Sequence, residues 1–385
     1  MQLHIVSKFF FPVIGGIEQS IEQLYSRFPS TGWEIVVHTG ALTETGGVIP
    51  ESAPQSVRGL SVRRYLPRFG FYWPRIPYGK RVYVSLQNFD LLPHLPILLY
   101  AWVLSMIGKK RAQLFLTPHG GFCPNWHTFS VFQRVIKKGL HNTIGTFLIN
   151  RVIEKVQVVS EWEREQLVAC GVRAELMTLI ENGLEDAAFA DADALASEDI
   201  RGKVAGVGNY ILQVGKLYEE KNYETSIRAL ALLPTAVEYV ILGQDVSGQY
   251  TSKLQQLARE LGVEDRLHFW GYIEGVDKYF VYRHALALVH MARWENFCTV
   301  VHEALSQGLV CVVSDRAVLP HLVRDGVNGF CVELYNFQAE ADKIKYILDP
   351  MHATEVEEMR VRNKAYGRAH AWESLALATE QFYIT

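Results

Sequence analysis

Short apolar runs alternate with longer segments of helical periodicity along most of this chain. In the first half the apolar runs begin at residues 3, 33, 60, 89, 113, 156 and 176, and in the second half at residues 210, 237, 266, 286 and 310. Short apolar runs bounded by turn residues predict buried strands, and an alternation of strands and helices predicts parallel, doubly wound sheets. The pattern therefore predicts an α/β protein with two such units.

One segment interrupts this alternation near the middle of the chain. The stretch EDAAFADADALASEDIRGK from Glu185 is acidic and rich in alanine, so it predicts a connector. We therefore expect a first domain over 1–185, a linker over 186–205, a second domain over 206–368 and an amphipathic helix over 369–385. Asp191 and Asp193 form a DxD pattern of the metal-binding kind, but without a flanking strand we interpret it as coincidental.

Composition excludes several classes of protein. The 385 residues are 49% hydrophobic, which is sufficient for sizeable cores, and the net charge of −3 gives no basic field for nucleic acid. The five cysteines are scattered without CxxC spacing, so they predict neither a zinc site nor a disulfide framework, and a reducing cytoplasm fits best.

Two apolar segments bear on membrane insertion. The N-terminal LHIVSKFFF lacks the basic region and cleavage site of a secretory leader, so it predicts a strand. The most apolar run, LLPHLPILLYAWVLSMI from Leu91, is interrupted by two prolines and a histidine and is shorter than a spanning helix of about 20 residues. We expect a strand end followed by a buried helix there.

The stretch HMARWENFCTVVHEALSQG from His290 carries the strongest candidate chemistry. Glu295 falls in the loop that follows a predicted strand, and Glu303 falls about two turns into the next helix. Open α/β sheets bind ligands at the carboxyl ends of their strands, and the free amides from Phe297 to about Val300 would attract phosphate. Two solvated surface glutamates are the plain structural alternative.

Three further loops follow predicted strands. Gly15 and Gly16 precede a helical pattern and would let a ligand approach the backbone, although a tight turn explains them equally well. His119 lies at the end of the run QLFLTPHG, where it is either structural or a polar contact at a reacting centre. Lys216 and Lys221 surround a turn, either as solvated charges or as two cations for a diphosphate.

These motifs together resemble retaining glycosyltransferases of the GT-B fold, and glycosyltransferase family 4 in particular. The resemblance rests on E-x7-E at Glu295 and Glu303, on a G-K-L-x-x-x-K loop ending at Lys221, on GGxE ending at Glu18 and on TPHGG around His119. It spans nearly the whole chain. It implies two Rossmann-like domains with a deep interdomain cleft, an acceptor-binding first domain, a nucleotide-sugar-binding second domain and a C-terminal helix that crosses back to the first.

The resemblance also implies roles for individual residues. His119, Lys221 and Glu295 would be catalytic, with His119 facing the donor sugar, Lys221 facing the diphosphate and Glu295 holding sugar hydroxyls. Glu303 would bind the ribose. The remaining expected donor contacts are Gly15, Gly16, Lys216, Gly243, Ile273, Phe297, Cys298 and Thr299.

Two positions depart from the family pattern. Cys298 stands where the family usually has glycine, which leaves less room for close backbone approach. Lys216 stands where the family usually has arginine, which keeps the charge but removes bidentate phosphate geometry.

Basic and aromatic residues cluster in the first half of the chain. The stretch from Asn125 to Lys155 contains five cations among apolar residues, and the segment from Phe69 to Arg81 adds more of both kinds. Such a pattern is typical of helices that lie on an anionic membrane surface, although two ordinary helices with a solvated basic face would show it as well.

We therefore expect transfer of a sugar, with retention of configuration, from a nucleotide-diphosphate sugar to a hydroxyl of a glycan or lipid-linked glycan. A UDP- or GDP-sugar is the expected donor, with no metal, no other cofactor and no nucleic-acid partner. We expect the protein in the cytoplasm, with peripheral contact at the inner face of the membrane. The alternatives are a non-catalytic nucleotide-sugar sensor or scaffold, a GT-B sugar-nucleotide epimerase and a phosphorylase-like enzyme.

Overall fold

The chain folds into two compact α/β units. A computed structural model describes residues 1–13, 15–29, 32–43, 46–77, 79, 81–109, 112–245 and 248–385, apart from the side chain of residue 368. The first unit comprises Met1–Gly183 together with Trp372–Thr385, and the second comprises Leu184–Ala371.

The first unit is built on an eight-stranded sheet. Its strands are β1 (Gln2–Ser7), β2 (Glu34–Gly40), β3 (Ser56–Val57), β4 (Leu60–Tyr65), β5 (Val82–Gln87), β6 (Gln113–Thr117), β7 (Ile153–Val158) and β8 (Met177–Leu179). Their order is β3-β4-β2-β1-β5-β6-β7-β8, and all neighbours pair in parallel except β3 with β4. Its helices are α1 (Gly16–Tyr25), α2 (Leu91–Met106), α3 (Val131–Leu140), α4 (Thr146–Val152), α5 (Glu161–Ala169) and, at the end of the chain, α15 (Trp372–Ile384).

The second unit is built on a six-stranded, wholly parallel sheet. Its strands are β9 (Tyr210–Val214), β10 (Glu238–Leu242), β11 (Leu267–Gly271), β12 (Ala287–His290), β13 (Cys311–Ser314) and β14 (Gly329–Val332). Their order is β11-β10-β9-β12-β13-β14. Its helices are α6 (Ala192–Leu195), α7 (Glu198–Val207), α8 (Tyr223–Leu230), α9 (Gln249–Glu260), α10 (Gly275–His284), α11 (Thr299–Ser306), α12 (Leu319–Leu322), α13 (Phe337–Leu348) and α14 (Ala353–Gly367).

Apolar side chains of the strands form the cores of both units. In the first unit, one cluster under the sheet joins β1 and β2 to α15 through Trp372, Phe382 and Tyr383. The Tyr383 hydroxyl lies 2.7 Å from that of Tyr25 and 2.8 Å from Ser85 Oγ, so α15 is tied to the sheet by buried hydrogen bonds as well as by packing. The helix that ends the chain is therefore part of the first unit.

The run from Leu91 forms the helix α2 as far as Met106, so the predicted strand end is wrong. The strand of this region is β5, and the run beginning at Phe89 enters α2, whose first N–H donates to the side chain of Asp90. Leu92 has extended backbone angles, so the regular helix begins at Pro93, a position where proline loses no intrahelical hydrogen bond. No helix among the described residues combines the length and apolar character needed to cross a membrane.

The segment predicted as a linker over 186–205 differs from a loose connector. It contains α6 and most of α7, and it belongs to the second unit. The Ser197 hydroxyl caps α7 and donates to Asp277 Oδ2 at 2.7 Å, and Asp193 pairs with Arg283 and His284 at 2.8 Å. The acidic side chains of this segment thus hold it against α10, which composition alone did not show.

The structure leaves all five cysteines as free thiols. Two of them nevertheless meet, since the Sγ atoms of Cys123 and Cys170 lie 3.2 Å apart. Their separation in sequence gave no sign of this contact.

Candidate active site

The second unit offers a ligand site where its strand order reverses. If β9 to β14 are numbered 1 to 6, their order across the sheet is 3-2-1-4-5-6. The connections that follow the neighbouring strands β9 and β12 therefore lead in opposite directions across the sheet. A crevice forms at the carboxyl ends of two such strands, and ligands bind there. Lys221 lies in the loop after β9 and Glu295 in the loop after β12. Both therefore border the switch point.

Hydrogen bonds hold these two loops together. The Asn222 side chain donates to the Met291 carbonyl at 2.9 Å, and the Arg293 N–H donates to the Glu220 carbonyl at 2.8 Å. Asn222 adopts a left-handed conformation (φ 50°) and begins α8, which turns the chain sharply after Lys221. The sequence analysis did not single out Asn222, although asparagine tolerates this conformation better than most residues.

A compact cluster of charge forms at the centre of the crevice. The Lys221 ammonium forms an ion pair with Glu295 Oε1, and the fully buried His290 lies 2.8 Å from the same oxygen through Nε2. No described residue hydrogen-bonds the second oxygen, Oε2. Glu295 therefore keeps one acceptor for a ligand hydroxyl.

The charges of this cluster stabilise one another. Burial alone would raise the pKa of Glu295, but the positive charge of Lys221 and the hydrogen bond from His290 outweigh it and lower that pKa to about 2. Burial likewise opposes the charged form of Lys221, yet Glu295 raises the pKa of that ammonium. Burial lowers the pKa of His290, which makes it a neutral donor to the carboxylate. At neutral pH the site thus holds one carboxylate and one ammonium.

Glu303 lies in a second charged cluster. Its carboxylate accepts hydrogen bonds from Lys278 at 2.8 Å and from the Tyr282 hydroxyl at 2.9 Å. Lys278 also pairs with Glu185 at 2.5 Å. Although burial opposes the charge of Lys278, the two carboxylates raise its pKa. Lys278 was not expected from the sequence, and its position in the α10 pattern carried no signal of this contact.

The first turn of α11 and the loop before it contain backbone amides that have no acceptor in the described part of the chain. The helix begins at Thr299, so Glu303 lies little more than one turn inside it, and the prediction of about two turns was wrong. Cys298 caps the helix with φ 62°, a left-handed conformation that explains why glycine suits this position. Among the described residues, the amides of Phe297, Cys298, Thr299 and Val300 have no hydrogen-bond acceptor. Such donors attract phosphate.

The remaining predicted residues of this unit occupy neighbouring loops. Gly243 follows β10 with φ 155°, and a Cβ there would lie 1.8 Å from the Gly215 carbonyl oxygen, so only glycine fits. Ile273 is half-buried in the loop between β11 and α10. Lys216 is exposed directly after Gly215, and among described residues it has no ion-pair partner. The structure thus joins Lys221, but not Lys216, to the Glu295 cluster.

Three potential metal ligands also meet here, which the spacing in sequence did not suggest. Ligand atoms of His290, Glu295 and Cys298 all lie within 4.8 Å of one another. However, the Lys221 ammonium already neutralises the Glu295 carboxylate through Oε1, and burial raises the pKa of the Cys298 thiol well above its usual value. Both features disfavour a divalent cation, and metal independence stays a prediction.

In the first unit, His119 lies at the carboxyl end of β6 within a network of neutral groups. Its Nε2 lies 2.8 Å from Gln87 Oε1, and burial lowers the His119 pKa to about 4. Gln87 in turn donates to the Tyr25 hydroxyl at 2.8 Å and to Thr117 at 3.2 Å. The imidazole is therefore neutral at physiological pH and is oriented by an amide that the sequence analysis missed.

Glycines lie in the loop that follows β6 and in the loop that follows β1. A Cβ at Gly121 would lie 2.3 Å from the Phe89 carbonyl oxygen, so the backbone after His119 packs too tightly for any side chain. Gly15 and Gly16 begin α1, and a Cβ at Gly16 would meet no described atom within 4 Å. A Cβ at Gly15 would lie 2.6 Å from Glu18 Oε2, so only the Gly16 position is open, and a ligand-binding role for this turn stays a prediction.

A wide cavity of about 1080 Å³ adjoins the carboxyl ends of β2 and β4. Three arginines, Arg63, Arg64 and Arg75, line it together with the aromatic side chains of Tyr65 and Phe71. Arg64 donates to the carbonyls of Pro54 and Phe11, which fixes its guanidinium at the wall. Glu51 is the one carboxylate among the described lining residues, so cations outnumber anions and the cavity suits a large ligand that carries negative charge.

Comparisons with known proteins agree with this architecture. The family model "Glycosyl transferases group 1" matches residues 198–370, and the model "Glycosyltransferase Family 4" matches residues 14–187. In fold, the chain is similar to Alr3699/HepE of Anabaena in complex with UDP, with a TM-score of 0.73, 19% identity and 99% of each chain covered.

Two curated relatives have lipid-linked substrates in their names. A GDP-mannose:cellobiosyl-diphosphopolyprenol alpha-mannosyltransferase of Komagataeibacter xylinus is 25% identical over 99% of this chain and 92% of the relative. An N-acetylgalactosamine-N,N'-diacetylbacillosaminyl-diphospho-undecaprenol 4-alpha-N-acetylgalactosaminyltransferase of Campylobacter jejuni is 26% identical, with 64% of each chain covered. The second match thus spans less than two thirds of that relative.

Proposed function

This chain belongs to glycosyltransferase family 4 and has the GT-B fold, and from that premise we propose that it transfers a hexosyl group from a nucleotide-diphosphate sugar with retention of configuration. The observation that carries the proposal is the convergence of Lys221, Glu295 and the free first-turn amides of α11 at the switch point of the second sheet. A diphosphate and a sugar hydroxyl are the groups that such a crevice would recognise.

In this proposal the bound donor replaces the ion pair between Lys221 and Glu295. Lys221 turns from Glu295 towards the diphosphate, where its charge stabilises the negative charge that grows as the glycosidic bond breaks. Glu295, held by His290, accepts hydrogen bonds from the sugar. Glu303, held by Tyr282 and Lys278, accepts hydrogen bonds from the ribose hydroxyls.

His119, Gly15 and Gly16 are the proposed contribution of the first unit. His119 stays neutral because burial lowers its pKa to about 4, and its Nε2–H donates to Gln87 Oε1, so Nδ1 would accept a hydrogen bond from the sugar without adding charge. No protein carboxylate need act as a metal ligand in this scheme, because Lys221 and the helix amides neutralise the leaving group.

We propose that the acceptor is a glycan or lipid-linked glycan bearing negative charge. The cavity lined by Arg63, Arg64 and Arg75 supports this, because guanidinium groups pair with phosphate oxygens and aromatic rings stack on sugars. The names of the relatives from Komagataeibacter xylinus and Campylobacter jejuni, both with diphospholipid acceptors, point in the same direction.

We further propose peripheral membrane contact through α3. No residue of this helix is buried, and Val131, Phe132 and Val135 are 73%, 75% and 66% exposed. Exposed apolar faces of this kind mark interaction surfaces, and the neighbouring exposed Lys138 suits anionic lipid. Two other cations of the stretch serve the unit itself, since Lys137 pairs with Asp90 and Lys155 donates to the Phe382 carbonyl.

A thermal-shift screen of nucleoside diphosphates and their sugars tests the donor proposal. A ligand present at about 100 times its dissociation constant stabilises the folded state by roughly 2.7 kcal/mol, and at least one uridine or guanosine diphosphate should do so. Nucleosides without phosphate serve as the control. The proposal is contradicted when no nucleoside diphosphate raises the melting temperature.

Cosedimentation with phosphatidylglycerol vesicles tests the membrane proposal. Phe132→Asp should release the protein into the supernatant, because it places a charge on the apolar face of α3. Val361→Asp is the matched control, since Val361 is 61% exposed on a helix of the second unit. Equal losses in both variants, or no binding of the wild type, would refute docking through α3.

A further inference from the structure

The first unit contains a second, smaller cavity with an apolar lining. It measures about 200 Å³ and lies between α2 and the sheet. Ile97 and Leu104 of α2, Leu114 of β6 and Val152 of α4 form its walls, and Trp73 stands at one side. The proposed transfer reaction uses none of these side chains.

The position of this apolar cavity separates it from the candidate active site. Its walls include Ala112 and Leu114 at the amino end of β6, whereas His119 follows the carboxyl end of that strand. The five residues of β6 span about 16 Å at roughly 3.3 Å per residue. A ligand in the apolar cavity would therefore be remote from the reacting atoms.

The size of the apolar cavity limits what it can hold. Pockets for whole drug-sized ligands measure about 300 to 1,000 Å³, so a nucleotide or a disaccharide would not fit. An apolar cavity of about 150 Å³ is nevertheless large enough to admit benzene. A segment of hydrocarbon chain matches both the volume and the lining.

The residues around the apolar cavity indicate which kind of molecule the hydrocarbon chain belongs to. Exposed Lys109 and Arg151 also line it, with one carboxylate, Glu154, so cations outnumber anions. At the end of α2 beside it, Met106 and Ile107 are 68% and 60% exposed. Apolar surface next to a cationic rim is suited to an anionic lipid.

The segment 71–77 lies between this cavity and the arginine-lined one and lines both. Trp73 lines both cavities, whereas Pro74 and Ile76 face only the apolar one and Arg75 faces only the arginine-lined one. The side chains of this segment thus lie on both sides of it and separate a site for charge from a site for hydrocarbon.

We propose that the apolar cavity binds one hydrocarbon chain of a phosphate-bearing lipid. The chain occupies the space between α2 and the sheet, and the phosphate lies near the cationic rim. The lipid is either a membrane phospholipid or the lipid of the acceptor, because both present the same chemistry. The inference concerns binding without turnover, so its failure would leave the proposed glycosyl transfer untouched.

Direct binding of single-chain phosphates to the full chain tests this site. Alkyl phosphates from hexyl to dodecyl should gain about fourfold in affinity for each added methylene until the cavity is full, and then gain little. Ala101→Phe, which fills the cavity from α2, should weaken dodecyl phosphate at least tenfold. Val103→Phe adds the same ring to the exposed face of α2 and should leave the affinity unchanged.

A second readout does not depend on how well Ala101→Phe folds. Dodecyl phosphate with a terminal bromine should quench tryptophan fluorescence in the wild type, and Trp73→Phe should remove that part of the quenching. Farnesyl phosphate in place of dodecyl phosphate separates the two sources, since tighter binding of the branched chain identifies a polyprenyl acceptor and tighter binding of the straight chain a phospholipid. The proposal is overturned when Ala101→Phe and Val103→Phe weaken binding equally, or when neither phosphate binds.

Discussion

The candidate ligand-binding edges of the two sheets differ in electrostatic character. In the second unit, buried charges are paired in advance, Lys221 with Glu295 and Lys278 with Glu303. In the first unit, His119 is neutral and is oriented by the side-chain amide of Gln87. The second unit therefore has ion pairs that a charged ligand could replace, whereas the first unit has a neutral polar group that could contact a ligand without adding charge.

A third buried carboxylate shows what pairing achieves. Glu340 is fully buried, and its only described partner is the Ser226 hydroxyl at 2.6 Å. Burial raises the pKa of Glu340 to about 8, whereas Lys221 and His290 lower the pKa of Glu295, whose side chain is 13% exposed, to about 2. The cation Lys221 and the hydrogen bond from His290 therefore keep Glu295 ionised despite its small exposure.

Removing the central cation should have the largest effect. We expect Lys221→Ala to lower kcat on the order of 10²- to 10³-fold, about 2.7 to 4 kcal/mol of transition-state stabilisation, because a positioned charge is lost where negative charge develops. Steady-state kinetics with the donor identified by thermal shift would measure this.

The folded fraction of Lys221→Ala must be measured beside its turnover. Removing one partner of a buried pair leaves an unpaired carboxylate, which is itself strongly destabilising. Lys216→Arg is the matched control on the same loop and should be tolerated, since Lys216 is exposed. Turnover near the wild-type level in folded Lys221→Ala would show that the donor diphosphate binds elsewhere.

Replacing Glu340, which has no cationic partner among the described residues, should change the stability of the protein rather than its catalysis. The Glu340 pKa is about 8 in the folded state against 4.5 as its ordinary value, so the stability it contributes is lost as pH rises from about 4.5 to 8. We expect Glu340→Gln to flatten this slope and to raise the free energy of unfolding at pH 8 by about 2 to 3 kcal/mol, at about 1.4 kcal/mol per pKa unit less the cost of burying an amide. Urea unfolding at pH 5 and pH 8 measures both values, and an unchanged slope would contradict the raised pKa.

The two glutamates of the E-x7-E pattern should separate binding from turnover. We expect Glu303→Gln to weaken nucleoside diphosphate binding by about 1.5 to 3 kcal/mol, because a charged acceptor for the ribose is lost. Glu295→Gln should mainly lower kcat. Calorimetric titration measures nucleotide affinity and steady-state kinetics measures kcat for both variants. A loss of affinity in Glu295→Gln and a loss of kcat in Glu303→Gln would reverse the assigned roles.

The smallest expected effect concerns the cap of α11. Cys298→Gly should be better tolerated than Cys298→Ala by about 1 kcal/mol, since only glycine adopts φ near 62° without strain. Thermal unfolding of the two variants compares them directly. Equal melting temperatures would mean that the left-handed conformation carries no such cost here.

Much of the fold could be predicted because buried parallel strands leave continuous apolar runs. The runs at residues 33, 60 and 113 are β2, β4 and β6, and those at residues 210, 237 and 310 contain β9, β10 and β13. β14 escaped prediction because its apolar run is only three residues long, whereas β12 and β13, which are equally short strands, lie within longer apolar runs. α2 was mistaken in part because two prolines near its start disguise a helical pattern.

The site was predictable only as far as motifs extend. Lys221 and Glu295 could be named because each follows a recognisable strand, but their ion pair depends on β9 and β12 being neighbours, which chain order does not reveal. His290, Lys278 and Gln87 support the named residues from other elements and belong to no motif. The exposed state of Lys216, against the buried pairing of Lys221, likewise follows from loop geometry alone.

Hydrogen exchange tests the central claim, that the donor diphosphate binds at the first turn of α11, most directly. The amides from Phe297 to Val300 have no acceptor among the described residues, so a bound diphosphate should protect them. We predict slower exchange of these amides when the stabilising nucleoside diphosphate is added, with little change in α9. Stabilisation of the protein without any protection at residues 297–300 would contradict the account.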